Sequence, residues 1–187
     1  MSKVAVIVGS LRRGSINRQL AEALARLARP RLDLEIVEIG DLPLYNQDLE
    51  APLPAPVARF KRQIEAAEAV LLITPEFNRT FSAALKNAIE WGSRPWGQTS
   101  WAGKPAAIIG ASPGGLATAA AQSQLRSVAT ALGLALMAQP EIHLNYREGQ
   151  IVDGGIADEG VARLLQGWVD SFALWIGELA AHARRAA

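Results

Sequence analysis

The chain has 187 residues, of which 50% are apolar and 20% charged, and a net charge of +1. This fits one α/β domain, residues 1–187, with a sizeable core. Its Lys and Arg residues are interspersed with Asp and Glu, so the footprint of a nucleic-acid binder is missing, and the lack of cysteine excludes disulfides, thiolate metal sites, iron–sulfur clusters and a cysteine nucleophile.

The first apolar, β-branched run, Val4–Val8, predicts a buried strand. It is too short for a signal h-region and has only Lys3 ahead of it. The run breaks at Gly9-Ser10-Leu11-Arg12-Arg13-Gly14-Ser15-Ile16-Asn17, and a helical pattern follows over Asn17–Ala28. A second strand is predicted at Leu34–Ile39, then a Pro-rich stretch from Pro43 to Pro56 that reads as a long surface connection, and a helix over Val57–Ala67. Ala69–Thr74 predicts the third strand, Ser82–Gly92 its helix, Ala106–Ile109 the fourth strand and Ala117–Leu132 the next helix. A weaker fifth strand is expected at Glu141–Leu144, and a last helix from Asp158 to Arg184. No stretch approaches the roughly 20 apolar residues of a membrane span, so a cytoplasmic protein without a membrane partner is expected.

Five strands and five helices in strict alternation imply a parallel sheet in a doubly wound, three-layer sandwich. Ligands of such sheets sit outside the carboxyl ends of the strands, near the switch point of strand order. The loops after strands one, three and four are therefore the ones to inspect.

The first loop is neither a Walker A sequence nor a dinucleotide G-x-G-x-x-G fingerprint. Ser10, Arg12, Ser15 and Asn17 supply hydroxyl, guanidinium and amide donors at a helix N-terminus, which suits a terminal phosphate; Ser15 or Asn17 alone would equally suit a helix cap. The second loop, Thr74-Pro75-Glu76-Phe77-Asn78-Arg79-Thr80-Phe81-Ser82, can present backbone groups and the Phe77 ring to a flat ligand. Phe77 is otherwise a core anchor, and Glu76 a solvated or ion-paired loop carboxylate. The third loop, Gly110-Ala111-Ser112-Pro113-Gly114-Gly115, allows close backbone approach, although a tight turn would use the same residues.

Taken together, the loops resemble the NADPH-dependent FMN reductase family, in particular its chromate and quinone reductase branch. The resemblance rests on Gly9-Ser10-Leu11-Arg12 with Ser15 and Asn17, on Pro75-Glu76-Phe77-Asn78 with Leu85-Lys86-Asn87-Ala88-Ile89-Glu90, and on Ser112 with Gly114-Gly115, Gln122 and Leu125-Arg126. It spans about residues 3 to 145 and implies a flavodoxin-like sheet of order 2-1-3-4-5 that binds FMN. Ser10, Arg12, Ser15 and Asn17 would then hold the phosphate, Pro75, Glu76, Phe77 and Asn78 the flavin ring, and Ser112 and Gly115 its far side. The implied activity is transfer of electrons from NADPH or NADH to a small-molecule acceptor, a quinone, chromate, an azo compound or free flavin, with no side chain acting as acid or nucleophile.

Three positions depart from the pattern: Phe77 stands for Tyr, Thr80 for Ser and Ser82 for Pro. Ser82 remains an acceptable N-cap. A non-enzymatic, flavodoxin-like FMN carrier shares the fold, but such carriers tend to be acidic and lack an arginine in the first loop. The resemblance also implies a homodimer or homotetramer, with the segment carrying Trp91, Trp96 and Trp101 as a candidate for a subunit contact or the rim of the acceptor pocket; a Trp-filled loop packed on its own domain would use the same residues. Gln122 and Arg126, four apart on one helix face, would make a polar subunit contact or a solvated stripe. Arg12, Arg13 and Arg79 could meet the 2′-phosphate of NADPH. His143 and His182 are far apart, so no metal site is expected.

Overall fold

Alternating burial decides how this chain layers. In β1 (Ser2–Val8), Val4, Val6 and Val8 face one side of the sheet and Ala5 and Ile7 the other. In β3 (Ala69–Ile73), Leu71 and Ile73 join the first side and Val70 and Leu72 the second. Both strands are buried on both faces, as the continuous apolar runs of a parallel sheet require. A computed structural model describes residues 1–186.

The sheet runs β2 (Leu32–Val37), β1, β3, β4 (Pro105–Ser112), with every one of these pairs parallel. The order 2-1-3-4-5 and the flavodoxin-like fold are as expected. Helices α1 (Ile16–Leu27) and α5 (Glu159–Ala186) cover one face through Leu20, Leu24, Leu165, Trp168 and Phe172. Helices α2 (Ala55–Ala66), α3 (Ala83–Ser93) and α4 (Ala119–Ala131) cover the other through Phe60, Ile64, Leu85, Trp91 and Leu125. The Pro-rich connection carries a 3₁₀ turn, Gln47–Leu49, and lies against α3: the Trp91 indole and the Asn87 amide both donate to Pro43 O, at 2.7 and 2.9 Å. Among the described residues, no helix is long and apolar enough to cross a membrane.

The fifth position of the sheet differs from the continuous strand expected at Glu141–Leu144. It is filled by two pieces, β5 (Ala135–Leu136) against the start of β4 and β6 (His143–Asn145) against its end. Pro140 lies in the gap and has no N–H to offer a ladder. Carbonyls in and beside the interruption are met by α4 instead. Gln122 donates to Ile142 O at 2.9 Å, Arg126 to Met137 O at 3.3 Å, and Arg126 Nε lies 2.9 Å from Glu141 Oε1. Gln122 is fully buried. Gln122 is thus neither a subunit contact nor part of a solvated stripe, and together with the partly exposed Arg126 it fastens the broken edge strand.

Two further corrections concern packing. Trp91 and Trp101 are fully buried within the domain, the latter donating its indole N–H to Ile89 O at 3.1 Å, so they cannot form a subunit contact or a pocket rim. A short hairpin, β7 (Ile151–Val152) with β8 (Gly155–Ile156), was not expected. Its Asp153-Gly154 turn has positive φ at both residues, +49° and +70°, and an Asp-Gly pair is a recognised sequence signal for such a turn. Arg26 of α1 anchors it by donating to Asp153 O at 2.6 Å.

Gly92, inside α3, illustrates how tightly the second face is packed. A Cβ there would lie 2.2 Å from the ring of buried Trp101. Glycine normally costs a helix interior about 1 kcal/mol relative to alanine, but overpacking a rigid core costs about 1–3 kcal/mol or more, so overpacking wins. Gly92→Ala is expected to lower stability by about 2 kcal/mol in chemical denaturation. Gly177→Ala in α5, where a Cβ meets nothing, is expected to raise it by a few tenths to about 1 kcal/mol.

Candidate functional site

The loops after β1, β3 and β4 converge at the carboxyl edge of the sheet. They enclose a cleft of about 180 Å³ lined by Ser10, Arg12, Ser15, Asn17, Pro75, Glu76, Phe77 and Ser112, together with Ile16, Ala111 and Pro113. Gly115 lies in an adjoining hollow of about 230 Å³, shared with Glu76, Arg79 and Ser112. Asn78 borders neither; it is a turn residue. Nine of the ten residues named from sequence therefore line one or other of two hollows that share Glu76 and Ser112.

Packing brings the first two loops together. Gly9 N donates to Ile73 O at 2.8 Å, and a Cβ on Gly9 would lie 2.6 Å from Ser82 Oγ and 3.3 Å from Pro75 Cδ. Only a glycine lets the end of β1 sit this close to the start of α3. Ser82 caps that helix by accepting from Leu85 N at 3.2 Å, so the serine that stands for proline does the work of an N-cap.

Ser15 is the N-cap of α1, its Oγ accepting from Arg18 N at 3.2 Å. A serine hydroxyl accepts and donates at once, so the cap leaves its hydrogen for a ligand in the cleft. Asn17, only 3% exposed, spends most of its amide on the protein. Its Nδ2 donates to Ala111 O and its Oδ1 accepts from Ala111 N, both at 2.9 Å, which leaves one amide hydrogen. Arg12 and Arg13 are exposed and engage no carboxylate among the described residues, whereas Arg18 is held by Glu22 and Glu38. The first loop is thus a cationic helix N-terminus with free donors, which favours an anion.

The second loop is built differently. Phe77 and Thr80 exchange two backbone hydrogen bonds at 3.0 Å each across a two-residue turn, with φ of +50° at Asn78 and +66° at Arg79. Phe77 is 57% exposed, so it is no core anchor and stands at the mouth of the cleft. Glu76 is not merely solvated. Its Oε2 accepts from Ala121 N at 3.1 Å, in the first turn of α4, whose own N-cap, Thr118, makes no side-chain cap. A carboxylate from another loop therefore serves the helix terminus. In the third loop, Ser112 Oγ accepts from Gly114 N at 3.2 Å, and Asn145 of β6 donates to Gly114 O at 2.8 Å. Asn145 and Gln124, which fastens the second loop, are not singled out from sequence: Gln124 falls at a variable position between Gln122 and Leu125, and Asn145 lies in no motif.

A doubly wound sheet whose first loop offers free anion donors, and whose other two loops wall a shallow cleft, defines a flavodoxin-like mononucleotide-binding protein. The chain belongs to the NADPH-dependent FMN reductase family, whose model matches residues 2–148. It is 49% identical to a 2-hydroxy-1,4-benzoquinone reductase from Burkholderia sp over 175 residues, 93% of this chain and 96% of that protein. It is 45% identical to a quinone reductase from Pseudomonas putida over 174 residues, 92% and 94% of the two chains. Among solved structures, the flavoenzyme NAD(P)H:(acceptor) oxidoreductase FerB from Paracoccus denitrificans superposes with a TM-score of 0.92 at 46% identity, covering 95% of this chain and 98% of that one. The protein is accordingly an FMN-dependent NAD(P)H oxidoreductase, and the donors and small residues of the cleft fit that cofactor.

Removing the Glu76 carboxylate should therefore loosen α4 as well as the cleft. Glu76→Ala is expected to cost about 1 kcal/mol in denaturant titration, and Glu76→Gln, which keeps an acceptor, less than half of that.

Proposed function

We propose that this protein reduces quinones with electrons from NADPH or NADH through FMN bound in the three-loop cleft. The observation that carries the reading is the convergence of Ser10, Arg12, Ser15 and Asn17 on one side of that cleft and Pro75, Glu76, Phe77 and Ser112 on the other. The names of the relatives at 49% and 45% identity support quinones as the acceptor class. FMN, when bound, supplies the electron-transfer chemistry.

The chain's own contribution is to hold and orient. Arg12 and the Ser10 and Ser15 hydroxyls provide charge-assisted and neutral hydrogen bonds to a phosphate, with the remaining Asn17 hydrogen beside them. Pro75, Glu76 and Phe77 bound the ring end, with Asn78 turning the chain beyond it, and Ser112 and Gly115 close the opposite wall. The exposed Phe77 leaves an apolar edge at the entrance, suited to a flat nicotinamide or quinone. Chromate, azo compounds and free flavin belong in the same acceptor panel.

We also propose a cytoplasmic homodimer or homotetramer. Trp96 and Leu44 are 85% and 81% exposed, and Arg94 lies between two rings, 5.6 Å from that of Trp96 and 5.9 Å from that of Tyr45. An exposed Trp96 backed by the partly buried Arg94 and Tyr45 suits the centre of a contact with a second copy. Trp96→Ser is expected to shift the sedimentation coefficient toward the monomer; an unchanged value would move the contact elsewhere.

Stopped-flow mixing of the FMN-loaded protein with NADPH and with NADH, followed by a quinone panel, tests the activity. Rapid bleaching of the flavin and its recovery with quinone are expected. A flavin that neither nucleotide reduces would leave an electron carrier. Arg12→Ala should weaken FMN binding about 10- to 100-fold, the worth of one charge-assisted hydrogen bond, measured by fluorescence titration.

A further inference from the structure

The second loop is fastened to α4 at two points, and the outer one is a surface residue with no part in the core. Glu76 reaches Ala121 N at 3.1 Å. Three residues further along the same helix face, the Gln124 amide donates from Nε2 to Arg79 O at 2.7 Å and accepts at Oε1 from Thr80 Oγ1, also at 2.7 Å. Gln124 is exposed, yet both ends of its amide are taken up by a single two-residue turn. That turn needs holding: Arg79 sits at φ +66°, a left-handed conformation that side chains other than Gly, Asn and Asp rarely adopt. Phe77 lies between the two fastenings, paired to Thr80 through the backbone and 57% exposed at the cleft mouth.

We propose that Gln124, with Thr80, is a positioning residue that sets which acceptors the enzyme prefers by fixing the turn that carries Phe77. This rests on the quinone reductase reading above. Solvent-exposed hydrogen bonds of this kind contribute little to global stability. Their effect falls on the orientation of the turn, and through it on the width of the cleft entrance. The phosphate side of the cleft, built from the first loop, does not depend on them. A small acceptor passes an entrance of either shape, whereas a fused-ring acceptor reports the position of the Phe77 ring.

The test uses the FMN-loaded enzyme with 1,4-benzoquinone and 1,4-naphthoquinone. Gln124→Ala and Thr80→Val are expected to change the ratio of kcat/KM for the two quinones at least fivefold, chiefly through KM, with FMN affinity within twofold of the parent. Thr80→Ser, which keeps the hydroxyl, should retain the parent ratio. Phe77→Leu should change the ratio by itself, and adding Gln124→Ala to it should change it no further. Independently of turnover, the cofactor-free protein should be cut by trypsin at the Arg79–Thr80 bond at least tenfold faster in Gln124→Ala than in the parent or in Thr80→Ser. An unaltered quinone ratio in both Gln124→Ala and Thr80→Val, or additive effects with Phe77→Leu, would overturn the proposal. If the parent enzyme reduces no quinone, the functional reading fails, and the trypsin arm alone decides whether Gln124 holds the turn.

Discussion

The cleft depends on how β4 is completed after β3 has left it. Ile109 still accepts from Thr74 N at 3.1 Å, but the chain then turns away through Pro75, which has no N–H to give. Two residues further along β4, Ala111 faces the same side and would be left with a bare N–H and C=O in a buried place. The Asn17 side chain takes the position of the missing strand, donating to one group and accepting from the other at 2.9 Å. Each such bond is worth only about 1 kcal/mol net, but orphaning both backbone groups would cost about 1–3 kcal/mol apiece. One amide thus joins the helix behind the first loop to the strand ahead of the third.

That joint explains why Asn17 reads as a phosphate donor from sequence alone. Its position after a strand–loop break is visible in the order of residues, whereas its partner is 94 residues away. The rest of the cleft divides the same way. The three loops, their strands and the residues that line them follow from local signals: apolar runs, a proline, glycines and clustered donors. The fastenings are nonlocal and chemically plain. Gln124 holding a turn and Asn145 tying the third loop are amides with no spacing that distinguishes them from surface residues, and Glu76, though its motif marks it, gives no sign of the helix start it caps 45 residues away.

The broken edge strand was illegible for a related reason. Apolar alternation near Glu141–Leu144 gives one strand, and Pro140 hints that it must stop short, but nothing in that stretch announces that Ala135–Leu136 pairs with the other end of β4. The interruption is tolerable only because Gln122 and Arg126 reach its carbonyls. Aromatic residues misled in the opposite direction. Trp91 and Trp101 look surplus to a small core, yet the indoles stack into the layer between α2, α3 and the sheet, with Phe60 and Trp101 edge to face at 6.1 Å. Each indole N–H finds a carbonyl, which is what burial of tryptophan requires.

The two ends of the cleft differ in stiffness. At the phosphate end, Gly9 is pressed against Ser82, Ser15 and Asn17 are buried, and each hydrogen bond there belongs to the core packing of a helix or a strand. At the other end, Phe77, Asn78 and Arg79 are exposed, and the turn, with its unfavourable backbone conformation at Arg79, is held by two backbone bonds between Phe77 and Thr80 and by one surface amide, Gln124. Local opening is expected where few buried contacts oppose it, and that criterion assigns it to the cleft entrance. On the function proposed above, an enzyme that must keep one cofactor while exchanging a nucleotide for an acceptor over it would use that division: the anchored helix start after β1 for holding the cofactor, and the loop after β3 for choosing the acceptor.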